Sequence, residues 1–214
     1  MPRKCGRPQG CDDKVCRELI ISSAVKLIRE QGADAVTVRN ICRQADIGTG
    51  TFYFYFKNKD DLLMSFLRET QFGELELTTP VEDIAGRMTE LYLHLINRYR
   101  SLGLGFVKSF YSTGNKALSA YLGEVDGQFA PDTVMARSES EMRVAAAQGV
   151  IKPEADIHEI CADLCTIVKG CVFEWCLSGG TAPVDEILGR ITEGYLQQYM
   201  TRTLVQCTAE NAQF

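Results

Sequence analysis

Side chains able to make directional contacts are concentrated between Thr49 and Lys59. This segment reads TGTFYFYFKNK, and it combines hydroxyl groups, ammonium groups and aromatic rings in one short stretch. Hydroxyl and ammonium groups hydrogen-bond phosphate oxygens, and an apolar ring such as that of Phe54 can pack against a thymine methyl group. Gly50 removes a side chain where the backbone could approach another molecule closely. These residue types predict that the segment recognises nucleic acid.

The spacing of apolar residues predicts two short helices on either side of a tight reversal at 46–48, which reads Asp-Ile-Gly. Before the reversal, apolar residues recur every three or four positions: Val38, Ile41, Cys42 and Ala45. Thr37 precedes them and can act as the N-cap. After the reversal, Phe52 and Phe56 are four residues apart and are expected to face the same core. The opposite side of the second helix then carries four residues: Thr49, Gly50, Tyr53 and Phe54.

The second of these helices is too short to be stable alone, because isolated helices of fewer than about 12 residues are marginal in water. Burial of Phe52 and Phe56 would hold it against the first helix at a fixed angle, as a probe of the major groove requires. The segment therefore predicts a helix-turn-helix that contacts DNA, and the alternative is a small aromatic core in any helical protein. The residues expected to contact DNA are Thr37, Arg39, Thr49, Gly50, Thr51, Tyr53, Phe54, Tyr55 and Lys59.

A wider set of positions, from about Ala24 to Leu63, resembles the signature of the tetracycline-repressor (TetR-like, or AcrR-type) transcriptional regulators. The matching residues are Gly32, Thr37, Val38, Ile41, Ala45, Gly50, Thr51, Tyr53, Tyr55, Phe56, Lys59, Leu62 and Leu63. The turn of that family usually reads Gly-Val-Ser, which differs from the turn of this chain. Asp46 tolerates the left-handed conformation that glycine would adopt there, and Gly48 is a weaker N-cap than serine.

The resemblance implies an all-α fold of about nine helices in two domains. Residues 11–75 would form a three-helix helix-turn-helix domain with its linking helix, after a flexible basic arm at 1–10. Residues 76–214 would form a helical domain that binds a small-molecule effector and pairs two chains. The expected function is that of a homodimeric repressor, released from a palindromic double-stranded DNA operator when the effector binds. Two DNA-binding domains that contact the two halves of a palindromic site must be related by a two-fold axis. This symmetry is the physical reason to expect a dimer.

Composition and charge agree with DNA binding near the amino terminus. The chain has 214 residues, of which 45% are hydrophobic, and a net charge of -5. Residues 1–68 carry 12 Lys or Arg against 8 Asp or Glu, whereas residues 69–214 carry 11 against 20. A locally positive region is sufficient for DNA binding even in a net acidic protein, because the affinity for DNA depends on the number of phosphates that the protein neutralises. The basic arm adds Arg3, Lys4 and Arg7, which could reach the minor groove or only raise solubility.

The sequence predicts neither a secretory signal nor a membrane span. The first ten residues carry charges without an apolar core, and no charge-free run approaches the ~18 residues needed to cross a bilayer. Nine cysteines are an odd number, which argues against a closed disulfide framework. We therefore expect a cytoplasmic protein with free, buried cysteines and no cofactor.

Amphipathic patterns predict helices for the rest of the chain. The first helix, ended by Gly32, would bury one apolar stripe: Val15, Leu19, Ile20, Ala24, Leu27 and Ile28. Asn58 is expected to cap the helix after the recognition segment. No alternating pattern is long enough for a strand, and a helical region over 116–148 is predicted, interrupted near Pro131. Asp156 with Glu159, and then Pro183, are expected to start the last two helices.

Two sets of residues in the second domain are predicted to bind partners. The effector would lie among aromatic and sulfur-containing side chains that suit an apolar cavity: Tyr92, Tyr99, Phe106, Phe110, Tyr111, Met135, Met142, Phe173 and Trp175. The two C-terminal amphipathic helices would pair two chains through six residues: Val168, Val172, Ile187, Ile191, Tyr195 and Tyr199.

His158, Cys161 and Cys165 place an imidazole and two thiols on one helix face. This face could bind a soft metal or sense oxidants, so a thiol- or metal-sensing regulator is an alternative. The same cysteines also fit an apolar stripe, where they would pack as small hydrophobic residues. A thiol-dependent enzyme or a helical adaptor that binds no DNA is a further alternative. The chain has no C-x-x-C motif and no glycine-rich phosphate loop, so we predict no catalytic residue and no metal site.

Overall fold

The computed structural model describes residues 13–32, 35–68, 72–111 and 124–201, and this part of the chain holds nine α-helices. Their bounds are α1 Asp13–Gln31, α2 Val38–Gln44, α3 Thr49–Tyr55, α4 Lys59–Arg68, α5 Ile84–Leu102, α6 Leu104–Phe110, α7 Val134–Ala147, α8 Ile157–Leu177 and α9 Val184–Leu196. A turn of 3-10 helix at Phe72–Glu74 lies between α4 and α5. The predicted all-α fold is confirmed. The predicted basic arm at 1–10 lies outside the described residues.

A short hairpin lies where the sequence predicted helix. Its two strands are β1 Glu124–Val125 and β2 Gln128–Phe129. Asp126 and Gly127 form the turn with φ of 54° and 73°, and an Asp-Gly pair favours such turns because both positions need positive φ. Helix α7 begins only at Val134. The predicted helix was therefore wrong over 124–129, whereas the interruption predicted near Pro131 agrees with the start of α7 at Val134. Residues 116–123 lie outside the described ranges.

Packing divides the chain into two compact units. The first unit comprises residues 1–71 and 96–128, and the second comprises residues 72–95 and 129–214. Helix α5 contributes its last part to the first unit and its first part to the second. The domain limits expected from the sequence, after residues 10 and 75, stay predictions.

The core of the first unit forms where α1 packs on α2 and α2 packs on α3. The buried face of α1 consists of small and branched apolar side chains: Cys16, Ile20, Ala24, Leu27 and Ile28. Val15 and Leu19 are exposed, so their assignment to this stripe was wrong. Cys16 fills the first core position instead, because a free cysteine packs as a small hydrophobic residue. Gly32 follows the helix with φ of 84°, in agreement with its predicted role as the C-terminal stop.

The core of the second unit forms where α7 packs on α8 and α8 packs on α9. The side chain of Asp156 accepts a hydrogen bond from the Glu159 N–H at 3.1 Å, which confirms the predicted start of α8. Pro183 immediately precedes α9, as predicted. None of the helices among the described residues is long and apolar enough to cross a membrane.

A charged network holds residues 73–79, which we call the anchored segment, within the second unit. The carboxylate of Glu141 on α7 is buried and accepts hydrogen bonds from Arg87 Nε and Arg137 Nη2, each at 2.7 Å. Both guanidinium groups also donate to backbone carbonyl oxygens of the segment: those of Gly73, Leu75 and Thr79. The anchored segment is therefore fixed by side chains of α5 and α7.

Candidate nucleic-acid interface

Helix α2, the first helix of the predicted helix-turn-helix, begins at a side-chain cap. Thr37 Oγ1 accepts a hydrogen bond from the Asn40 N–H at 3.1 Å, which confirms the predicted N-cap. The side-chain amide of Asn40 donates to the Ala35 carbonyl at 2.8 Å and so ties the cap to the preceding loop. Thr37 and Arg39, both predicted DNA contacts, are exposed at this end of α2.

The turn between α2 and α3 is held by its backbone. Asp46 has a φ of 50°, which is the left-handed conformation expected of the residue at this position. The Ile47 N–H donates to the Cys42 carbonyl at 3.0 Å. Gly48 supplies no side-chain cap, but its carbonyl accepts from the Thr51 N–H at 3.0 Å. The turn therefore sets the direction of α3 without a capping serine.

Helix α3 has one buried and one exposed side. Phe52 and Phe56 are 0% and 2% exposed, and their ring centroids are 5.8 Å apart. The other side faces solvent and carries the four predicted residues: Thr49, Gly50, Tyr53 and Phe54. Tyr53 is 58% exposed and Phe54 is 71% exposed. Large aromatic side chains exposed side by side indicate a surface for another molecule.

The glycine at position 50 has no explanation in the packing of the described residues. A Cβ atom built there would have nothing within 4 Å, although glycine weakens a helix by up to about 1 kcal/mol relative to alanine. Glycine is useful where another backbone or a ligand must approach closely. The absence of a side chain at Gly50 therefore fits contact with a second molecule on the exposed side of α3.

Tyr55 is a predicted DNA contact whose hydroxyl group already donates a hydrogen bond within the protein. Its Oη donates a hydrogen bond to Asp13 Oδ1, 3.1 Å away at the start of α1. Partial desolvation, together with this hydrogen bond and the negative charge of Asp13, raises the pKa of Tyr55 to about 12. No local sequence pattern predicts this contact, because 42 positions separate the two residues.

Helix α4 begins with a reciprocal cap. Asn58 Oδ1 accepts from the Asp61 N–H at 2.8 Å, which confirms the predicted role of Asn58, and Asp61 Oδ2 accepts from the Lys57 N–H at 3.0 Å. Lys59 lies in the first turn of α4 and is half-buried, as is Thr51 on α3. The ammonium group of Lys59 is therefore presented by a helix that begins four residues after the end of α3 at Tyr55.

The nine residues predicted to bind an effector fall into three groups. Four cluster at the end of α5 and on and just after α6, in the first unit: Tyr99, Phe106, Phe110 and Tyr111. Within this cluster the Phe106 and Phe110 rings stack with centroids 5.5 Å apart. Four others are buried in the second unit: Tyr92, Met135, Met142 and Trp175. Phe173 is 56% exposed on α8 and lies apart from the buried groups, so its place in an effector pocket stays a prediction.

Two grooves are lined by other side chains. A groove of about 740 Å³ in the first unit lies between α1 and the end of α5, and its lining includes Lys26, Arg29 and Arg98. A groove of about 420 Å³ in the second unit lies between the start of α5 and α9, and its lining includes Asp83 and Glu193. None of the predicted effector-binding residues lines either groove.

The six residues predicted at a dimer interface are divided between core and surface. Val168 and Val172 are buried within the chain itself, and their place in a dimer interface stays a prediction. Four residues on and just after α9 are half-buried and remain candidates: Ile187, Ile191, Tyr195 and Tyr199. The prediction missed Leu177, which is 65% exposed on α8, four residues after Phe173. The spacing of four residues between Phe173 and Leu177 is typical of one helix face, and it could have indicated a second apolar face on α8.

The cysteines of α8 are buried in the core. Burial raises the pKa of the Cys161 thiol to about 12 and also raises the pKa of Cys165, whereas reactivity requires the thiolate. The Nδ1 of His158 is 3.5 Å from Glu139 Oε1, and its ring stacks on Phe129. Among the described residues, no group of three or more His, Cys, Asp or Glu is arranged to hold a metal ion. The thiol- or metal-sensing alternative therefore gains no support.

A capped helix, a tight turn and a second helix with an exposed aromatic face define a helix-turn-helix protein. Comparison with known proteins agrees with this class. Residues 20–65 match the family model described as bacterial regulatory proteins, tetR family. The chain is 46% identical over 50 residues to the fatty acid metabolism regulator protein of Bacillus subtilis strain 168, covering 23% of this chain and 26% of that protein. It is 32% identical over 102 residues to YdeS, an uncharacterized HTH-type transcriptional regulator of the same strain, covering 48% of each.

The fold is also similar to that of a solved structure. Full-length TylP, a TetR regulator from Streptomyces fradiae, superimposes with a TM-score of 0.57 and 19% sequence identity, covering 87% of each chain. The likeness at this identity concerns the fold, and the chain spans about a quarter and about half the lengths of the two curated relatives. Residues 20–65 are therefore similar to the tetR family of bacterial regulatory proteins, and the fold of the described residues is similar to that of a TetR regulator.

Proposed function

We propose that two copies of this chain form a repressor that binds a palindromic DNA operator and leaves it when a small-molecule effector binds. The observation that carries the DNA-binding part is the exposed side of α3. Tyr53 and Phe54 are 58% and 71% exposed there, beside Thr49 and Gly50. The buried side of the same helix holds it against α2, so this face has a fixed direction, as base recognition in the major groove requires.

The residues around this face have separable roles in the proposal. Phe54 offers an apolar ring to a thymine methyl group and so contributes to sequence preference. Lys59, Arg39 and the hydroxyl group of Tyr53 bind phosphate and sugar groups and so fix the position of the domain on the duplex. Residues 1–68 carry more basic than acidic side chains, which agrees with this placement of the phosphate contacts.

The dimer part of the proposal is supported by an apolar surface on the last two helices. Phe173 and Leu177 are exposed on α8, and Ile187 and Ile191 are half-buried on α9. Apolar side chains at helical spacing on adjacent helices suit a two-fold pairing of helix pairs. A two-fold axis would place the two recognition helices about 34–36 Å, or a multiple of it, apart on one face of the duplex.

The effector part of the proposal concerns the second unit. The aromatic and sulfur-containing side chains buried there, those of Tyr92, Met135, Met142 and Trp175, are of the kind that lines apolar ligand sites. An effector that prefers a dimer with the wrong spacing of its two DNA-binding heads would shift the population away from the operator. A compound that binds this unit and leaves operator affinity unchanged would contradict the release mechanism for that compound.

Selection of bound duplexes from a random pool, followed by fluorescence anisotropy, tests the proposed function. We expect enriched duplexes to contain two inverted half-sites, and we expect Tyr53→Ala to lower affinity for them at least tenfold. His94→Ala, at an exposed position of α5, serves as the control and should bind as the unchanged protein does. Failure to enrich any sequence, or equal binding by Tyr53→Ala, would overturn the assignment.

A further inference from the structure

The start of α1 holds the end of α3 at two neighbouring points. Tyr55 donates its hydroxyl hydrogen to Asp13 across 3.1 Å. One turn further along α1, the guanidinium carbon of Arg17 lies 5.3 Å from the centroid of the Phe56 ring, which places a cation over an aromatic face. The consecutive residues Tyr55 and Phe56 therefore bind two residues that are one helical turn apart.

Helix α3 depends on such contacts because its own sequence stabilises it poorly. It has seven residues, no side-chain hydrogen bond at its N-cap, no acidic residue in its first turn and no basic residue in its last turn. A helix of this length does not persist in water without tertiary support. Burial of Phe52 supports its middle, whereas the contacts with Asp13 and Arg17 fix its carboxyl-terminal end.

We propose that Tyr55 is a positioning residue of the DNA-binding domain, fixed by Asp13, and that it does not bind a phosphate group. The proposal rests on the proposed function, because the recognition helix it positions is the one assigned to DNA. The phenol has one hydrogen to donate, and Asp13 accepts it. A phosphate oxygen placed against the same hydroxyl group would also lie next to the carboxylate of Asp13, and like charges at such separations repel.

Three single variants and one double variant separate positioning from phosphate binding, with operator affinity as the readout. Tyr55→Phe removes the donor, Asp13→Ala removes the acceptor, and Asp13→Asn removes the charge but keeps an oxygen that can accept the hydrogen bond. If Asp13 acts by holding Tyr55, then Tyr55→Phe and Asp13→Ala each weaken binding on the order of threefold to tenfold. The double variant Asp13→Ala with Tyr55→Phe is then no weaker than either single variant. Asp13→Asn retains most of the affinity.

The phosphate-contact alternative predicts a different pattern. Loss of the acidic charge near DNA would then strengthen binding in both Asp13→Ala and Asp13→Asn, and Tyr55→Phe would cost the same affinity in either background. That result would overturn the proposal. Ser22→Ala, at an exposed neutral position of α1, controls for unspecific effects of substitution on this helix.

Amide hydrogen exchange of the free protein tests the same contact without DNA. We expect the amides of α3 to exchange several-fold faster in Tyr55→Phe and Asp13→Ala, and at nearly the original rate in Asp13→Asn. Unchanged exchange in Tyr55→Phe would overturn the positioning role even if operator affinity fell. Faster exchange in a protein that enriches no duplex would instead refute the proposed function and leave the contact between α1 and α3 established.

Discussion

Arg87 on α5 donates from Nε to the buried carboxylate of Glu141 on α7 at 2.7 Å, although 54 positions separate the two residues. Replacing Glu141 by Gln leaves the guanidinium groups of Arg87 and Arg137 without their shared anion in a poorly solvated place. We expect the free energy of unfolding to fall by about 3–5 kcal/mol, as for other broken buried ion pairs. Urea denaturation measures this change. Glu154→Gln, at an exposed position, is the matched control, and an equally small effect of both variants would contradict the expectation.

The pH dependence of stability should report on Glu90. Burial alone would raise the pKa of this carboxylate, but hydrogen bonds of 2.8 Å from Thr78 and Thr79 outweigh burial and lower it to about 2. A pKa lowered by folding means that the contribution is complete above the ordinary value of 4.5 and is lost as the pH falls toward 2. Glu90→Gln should therefore be less stable than the unchanged protein at pH 7, and the difference should shrink below about pH 4.5. A difference that stays constant with pH would contradict this assignment.

Gly50→Ala should separate stability from DNA affinity. The added methyl group meets no atom of the described residues within 4 Å, and alanine favours a helix over glycine by up to about 1 kcal/mol. We expect thermal unfolding at an equal or higher temperature together with weaker operator binding, because the methyl group occupies the space of close approach. Equal or stronger binding by this variant would show that the glycine does not face DNA.

Lys59→Ala should weaken binding to all DNA sequences and reduce its dependence on salt. Removal of one phosphate contact is expected to lower the slope of log affinity against log salt by about 1. Lys169→Ala is a matched control, because Lys169 is a half-buried helical lysine in the second unit. Anisotropy titrations at several salt concentrations provide the measurement, and identical slopes for the two variants would refute a phosphate contact of Lys59.

Charge placed on the exposed face of α8 should separate the dimer. The double variant Phe173→Asp with Leu177→Asp introduces two carboxylates on the apolar surface proposed to pair two chains, and their desolvation opposes association. We expect a monomer by sedimentation velocity, with an unchanged circular dichroism spectrum and loss of binding to the palindrome. Val144→Asp, at an exposed apolar position of α7, controls for surface charge in general. A double variant that remains dimeric would place the interface elsewhere.

Features set by neighbouring residues could be predicted from the sequence. The caps at Thr37, Asn58 and Asp156 each use a side chain and a backbone N–H three residues further on, so local pattern suffices to find them. The left-handed conformation of Asp46 is likewise a property of one residue in one turn. The Asp-Gly turn at 126–127 was also readable in principle, because that pair is a strong hairpin signal.

Features that depend on which face of a helix meets the core could not be predicted in the same way. Helix α8 is apolar on more than one side, so its sequence does not tell that Val168 and Val172 are enclosed while Phe173 and Leu177 face solvent. The hydrogen bond between Asp13 and Tyr55 joins residues 42 positions apart, and only the packing of α1 against the helix-turn-helix brings them together. The tertiary structure determines which helix face is buried and which distant residues meet, even where the local sequence pattern favours another arrangement.

The anchored segment has a practical consequence for exchanging the amino-terminal helix-turn-helix between this chain and proteins of similar fold. Its carbonyl groups at Gly73 and Leu75 are the acceptors of Arg137, and its backbone at Thr78 and Thr79 supplies donors to Glu90. A hybrid protein joined after Thr79 would import a foreign sequence into these contacts, whereas one joined before Phe72 would keep all of them native. The two sequences of such a hybrid should therefore be joined on the amino-terminal side of the 3-10 turn.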